Sequence, residues 1–98
     1  MDYKNNNCEN LFKAIASIKN EEECRKVFED LFTIKETLSL AQRLEVAQLL
    51  DQKEIYANIA EKTGASSATI SRVARCLNYG SDGYKIILDR LKEDNGDE

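Results

Sequence analysis

Apolar residues recur along this chain at helical spacing, with charged and amide residues filling the positions between them. Leu11, Phe12, Ile15 and Ile18 fall at i, i+1, i+4 and i+7 and predict one face of a first helix. Asn20 with Glu23 reads as a capping box ahead of a second stripe, Cys24, Val27, Phe28, Leu31 and Phe32. Thr33 with Glu36 is a Thr-x-x-Glu box that opens a third helix. That helix is expected to run to about Asp51 and to bury Ile34, Leu38, Ala41, Val46, Leu49 and Leu50. A polar connector, Asp51 to Glu54, leads into a short helix from Ile55 to Lys62, apolar at Ile55, Ile59 and Ala60, that stops at Thr63 and Gly64. Ser66 or Ser67 caps the next helix, which continues through Ile70, Val73, Ala74 and Leu77. Asn78 to Gly83 is a turn cluster, and Tyr84, Ile87, Leu88 and Leu91 carry the last helix.

No stretch sustains the alternation of a strand, and a chain with no proline and four glycines has little to interrupt helices. The expected fold is all-α: six helices in one domain over residues 8–92, a disordered N-terminus at 1–7 and a disordered acidic tail at 93–98. Several stripes approach half of a helix circumference, more than a thin layer in a 98-residue chain covers. A homodimer that supplies the missing core is therefore expected.

Composition then removes whole classes of function. No run of 18 apolar residues exists, so neither a membrane span nor a membrane partner is expected. Met1 to Asn10 is polar and carries Asp2 and Glu9, unlike a secretory signal, which points to the cytoplasm. The absence of histidine rules out His-dependent triads and HExxH metal sites. Cys8, Cys24 and Cys76 are odd in number and lack CxxC spacing; they suit a reducing compartment and read as small buried apolar groups, with a redox sensor as the alternative. Glu21, Glu22 and Glu23 are consecutive, so they diverge around a helix start and favour its dipole rather than form a catalytic pair. With no Gly-rich phosphate loop either, an enzyme is not expected, and no catalytic or metal-ligating residue is assigned.

The informative segment is residues 55–77, two short helices joined by a tight turn, the pattern of a helix-turn-helix. Gly64 stands where the first helix must end in a left-handed conformation. Ala60 is small where the helices cross, and Ile59, Ile70 and Val73 form the wedge between them. The second helix presents Ser66, Ser67, Ala68, Ser71, Arg72 and Arg75 on its outer side, and these are the candidate DNA-binding residues. Small residues at its start admit the helix deep into a major groove, where hydroxyls reach base edges directly or through water. The plainer reading is a solvated face on an ordinary helical hairpin.

Charge first counts against nucleic acid and then in its favour. The chain carries 14 basic and 18 acidic residues, net −4. Yet residues 1–52 sum to −3, residues 53–79 to +2 and residues 80–98 to −3, and no acid occurs from Lys62 to Ser81. Phosphate binding follows the local field more than the net charge. A helical dimerisation or adaptor module that binds protein instead of DNA remains the alternative.

The stretch GASSATISRVARCLNYG from Gly64 to Gly80, with TIKE at Thr33–Glu36 and LAQRLEVA at Leu40–Ala47, resembles the Trp repressor superfamily, closest to its YerC/YecD-type branch. The resemblance covers about Glu21 to Leu91. It implies an intertwined bacterial homodimer that acts as a transcriptional regulator, one helix-turn-helix per protomer, reading half-sites of double-stranded DNA roughly 10 bp apart. It also implies an effector pocket at Thr33, Arg43, Thr69, Arg72 and Cys76, where the Trp repressor grips tryptophan. Val73 and Cys76 depart from that pattern, which has glycine and serine there; a valine crowds an indole, and a thiol is a poor hydroxyl substitute. No cofactor is expected, tryptophan is disfavoured as corepressor, and any other small effector is left open. The plainer roles are an intrahelical salt bridge for Arg43 and a phosphate contact for Arg72.

Overall fold

The structure, a computed structural model, describes residues 6–95, and every regular element within them is an α-helix. The elements are α1 (Asn6–Ala16), α2 (Glu21–Leu31), α3 (Ile34–Asp51), α4 (Tyr56–Thr63), α5 (Ser67–Tyr79) and α6 (Gly83–Asp94). Of the segments expected to be disordered, residues 1–5 and 96–98 lie outside the described residues; Asn6 and Asn7 open α1, and Glu93 and Asp94 close α6. The chain divides into two compact units, residues 1–37 and 38–98.

In the first unit, local chemistry sets the helix ends. Asn20 accepts the Glu23 amide through its side chain at 2.9 Å, while the Glu23 carboxylate reaches back to the Lys19 amide at 3.1 Å. The Thr33 box is fully reciprocal: the Glu36 amide donates to the Thr33 hydroxyl at 3.1 Å and the Thr33 amide to the Glu36 carboxylate at 2.9 Å. The Thr33 amide, and next the Thr33 hydroxyl, hold the Glu36 carboxyl below its usual range. Phe28 and Phe32, one turn apart, stack with ring centroids 4.5 Å apart. No residue of α2 is fully buried: Cys24, Val27, Phe28 and Phe32 are half-buried and Leu31 is exposed.

The second unit contains a closed core. Val46 and Ala47 of α3, Ile59 of α4, Ala65 of the following turn, Ile70 and Val73 of α5, and Leu88 of α6 are buried together. Leu44, Leu49, Leu50, Ala60, Leu77 and Tyr84 pack against them. The expected burial along α3 is therefore correct only toward its C-terminus. Ala41 and Leu38 are exposed, Leu38 by 65%, and Ile34 at the helix start is 81% exposed. The reason is coverage: α4, α5 and α6 place their core residues against the C-terminal half of α3. The cysteines also differ from expectation. Cys8 and Cys24 are half-buried, but Cys76 is exposed on α5 and does not act as a buried apolar group.

Candidate nucleic-acid interface

The turn between α4 and α5 is built by three residues, each with a separate task. Gly64 ends α4 at φ 72°, a left-handed conformation with no Cβ to strain, and its amide donates to the Ala60 carbonyl at 2.9 Å. Ala65 buries its methyl in the core and donates its amide to the Thr63 hydroxyl at 3.1 Å. Ser66 is the cap of α5, which settles the choice between the two serines: its hydroxyl oxygen accepts the Thr69 amide at 3.1 Å. From α3, the Gln42 side-chain amide donates to the Thr63 carbonyl at 3.1 Å and ties the turn to the scaffold.

The wedge expected from the sequence is present. Ile59 is fully buried, Ile70 and Val73 are 1% exposed, and half-buried Ala60 packs against them. With that side of α5 inside, the opposite side is open: Ser66, Ser67, Ala68, Ser71, Arg72 and Arg75 are all exposed. Ser67, Ser71 and Arg75 follow one another at intervals of four residues along one strip, with Ala68 and Arg72 beside them. Ser67 to Arg75 spans about 12 Å of helix axis, close to the roughly 12 Å width of a B-DNA major groove. Serine hydroxyls at the tip can then face base edges while the arginines reach flanking phosphates. Ser66 fits this role less well, because its hydroxyl is already engaged with the amide and hydroxyl of Thr69.

Side-chain pairing narrows the positive field. Lys62, at the end of α4, is paired with Glu54 at 2.7 Å. Among the described residues neither Arg72 nor Arg75 is held in an ion pair, and the first turn of α5 has no acid. The cationic character of this face thus rests on two arginines backed by the positive end of a 13-residue helix.

The expected effector residues are distributed less simply. Thr33 lies in the first unit, where its hydroxyl caps α3. Thr69 is half-buried and bonded to Ser66. Arg43 is half-buried and donates to the Ser39 hydroxyl at 3.3 Å; its partner one turn back is a hydroxyl rather than the carboxylate of a salt bridge. Val73 points into the core. Cys76 lines a shallow groove of about 500 Å³ together with Gly80, Ser81, Gly83, Tyr84 and Ile87. Gly80 permits the close return of the chain here, since a Cβ would collide with the Cys76 carbonyl.

Tyr84 is the residue that the sequence pattern did not single out. Its apolar spacing marks it as core, yet its phenol also senses three of the expected effector residues. Burial raises the phenol above its ordinary value; Arg43 opposes this, Cys76 adds to it and Arg72 opposes it. Three helices, α3, α5 and α6, therefore bring Arg43, Arg72 and Cys76 within electrostatic reach of Tyr84.

Comparison with known proteins places these features in a common setting. Residues 6–92 match the family of Trp repressor proteins. The chain is 59% identical over 83 residues to the uncharacterized protein YerC of Bacillus subtilis (strain 168), covering 85% of this chain and 80% of that protein. Among solved structures, a TrpR-like protein from Eubacterium eligens superimposes with a TM-score of 0.83 at 56% identity, over 90% of this chain and 91% of that one. A candidate Trp repressor from Staphylococcus aureus gives a TM-score of 0.82 at 48% identity, over 90% and 88% of the two chains.

Proposed function

Because the chain belongs to the Trp repressor family, we propose that it is a sequence-specific, DNA-binding transcriptional regulator that acts as a homodimer in the bacterial cytoplasm. The observation that carries this reading is the outward strip of α5, small at its tip and ending in two unpaired arginines, on a helix fixed by a buried wedge and a left-handed glycine turn. Ser67, Ala68 and Ser71 read base edges; Arg72 and Arg75 hold phosphates. The exposed Ile34 and Leu38 of α3 support a homodimer that covers them. Tryptophan is not proposed as corepressor: Val73 fills core space, and Cys76 offers a poor hydrogen-bond partner. No cofactor is needed for DNA binding.

The test begins with duplexes selected from a random library, followed by anisotropy titrations of wild-type protein and of Arg72→Ala and Arg75→Ala. Each loss of a charge-assisted phosphate contact is expected to weaken binding by about tenfold. The salt slope should flatten by about 0.9 for each contact removed. Unchanged affinity and slope would overturn the assignment. Failure to enrich any site, together with recovery of a protein partner, would favour the adaptor reading.

A further inference from the structure

The set of the α4–α5 head against α3 depends on what joins the two along α5. One attachment is at the turn, where Gln42 of α3 grips the Thr63 carbonyl. The C-terminal half of α5 lies beyond that attachment; among the described residues no hydrogen bond or ion pair links it to α3, and Val73 and Leu77 meet the core shared with α3 through apolar packing. A side chain from α6 joins that packing. Tyr84 packs against the core cluster shared by Val46 and Ala47 of α3 and Ile70 and Val73 of α5. It also lines the groove beside Cys76 and Gly80 at the end of α5.

We infer that Tyr84 is a positioning residue that sets the angle of the recognition helix: its ring is inserted as a built-in spacer between the α3 and α5 sides of the second unit. The other end of the ring supports this placement. The phenol senses Arg43 of α3 and Arg72 of α5 simultaneously. Gly80 completes the arrangement, because any larger residue would drive into the Cys76 carbonyl and displace the chain that leads to Tyr84. Such a spacer presets the head without a ligand. The inference rests on the DNA-binding reading only for its functional consequence; the mechanical claim stands separately.

The experiment therefore has two readouts, hydrogen exchange of α5 amides and affinity for a selected duplex, for wild type, Tyr84→Phe, Tyr84→Ala and Tyr84→Leu. Tyr84→Phe keeps the ring and is expected to match wild type in both. Tyr84→Ala is expected to speed exchange in α5 with little change in α2. If only about a tenth of its heads remain correctly set, DNA affinity falls about tenfold. Added 4-methylphenol, which refills the ring site, should restore both readouts in Tyr84→Ala and leave wild type unchanged. Should Tyr84→Ala unfold throughout, Tyr84→Leu, with core volume but without reach, is expected to show the same defects in milder form. Unchanged α5 exchange in a folded variant, or no rescue by 4-methylphenol, would overturn the spacer. If wild type binds no duplex but exchange responds as described, the spacer stands and the DNA-binding reading fails.

Discussion

Helices α2 and α5 carry comparable apolar stripes, yet they resolve them in opposite ways. In α5 the stripe disappears into a core, with Ile70 and Val73 almost wholly buried. In α2 no residue is fully buried, and order comes from the Asn20 cap, from stacked Phe28 and Phe32, and from exposed pairs one turn apart, Arg25 with Glu21 at 3.4 Å and Lys26 with Glu22 at 3.6 Å. The contrast separates a stripe closed within the chain from one left open. The closed core lies at the helix-turn-helix and fixes its internal geometry. Leu11, Phe12, Leu31, Ile34 and Leu38 stand open in α1, α2 and the start of α3, while the second unit keeps its closed core and leaves Leu40, Ile55, Tyr56, Tyr79, Ile86 and Ile87 open at its periphery.

The strongest way to sharpen this contrast is to hollow the closed core. Ile59→Ala is expected to cost about 2–5 kcal/mol, read by urea denaturation. A loss below 1 kcal/mol would show that the wedge is not a stability centre. The open side is tested by Ile34→Asp combined with Leu38→Asp. In a homodimer that covers these positions, light scattering should show the molar mass halving toward the 11.1 kDa protomer. Wild-type protein that already runs as a monomer would mean that the α3 stripe faces water.

The smallest effects are expected at the helix caps. Thr33→Ala should cost about 1 kcal/mol, measured at neutral pH. The Glu36 carboxyl in the same box has a folded value below its ordinary 4.5, so the folded state binds its proton less readily than the unfolded chain. Its stabilising contribution is therefore complete above the unfolded value and is lost as pH falls through the folded one. Glu36→Gln should remove this part of the acid dependence, because glutamine caps the same amide without titrating. A wild-type acid profile that Glu36→Gln leaves unaltered would contradict this.

Much of the architecture was legible because its signals are local. Capping residues and left-handed glycines act within a few positions of themselves, so Asn20, Thr33 and Gly64 marked their helix boundaries directly. The wedge of Ile59, Ile70 and Val73 was legible because a helix-turn-helix fixes which residues meet. Burial along α3 was not, since periodicity identifies an apolar face without saying which neighbour covers it or how far along. Ile34 and Leu38 share the spacing of the α3 core residues and still face outward. Tyr84 escaped for a related reason: spacing assigned it to the core, but its proximity to Arg43 and Arg72 depends on how three helices meet. Ser66 and Ser67 were equivalent in sequence and became distinct only through the hydrogen bond to the Thr69 amide.

The Lys62–Glu54 pair has a consequence for how such a regulator would travel through a chromosome. With Lys62 engaged, the proposed homodimer would hold DNA phosphates through two arginines on each recognition helix, displacing about four counterions for a logarithmic salt slope of only about −3.6. A protein held so lightly by the backbone does not slide far along random sequence. It would detach early, sample distant sites by hopping, and dwell where hydroxyls and small side chains find matching base edges.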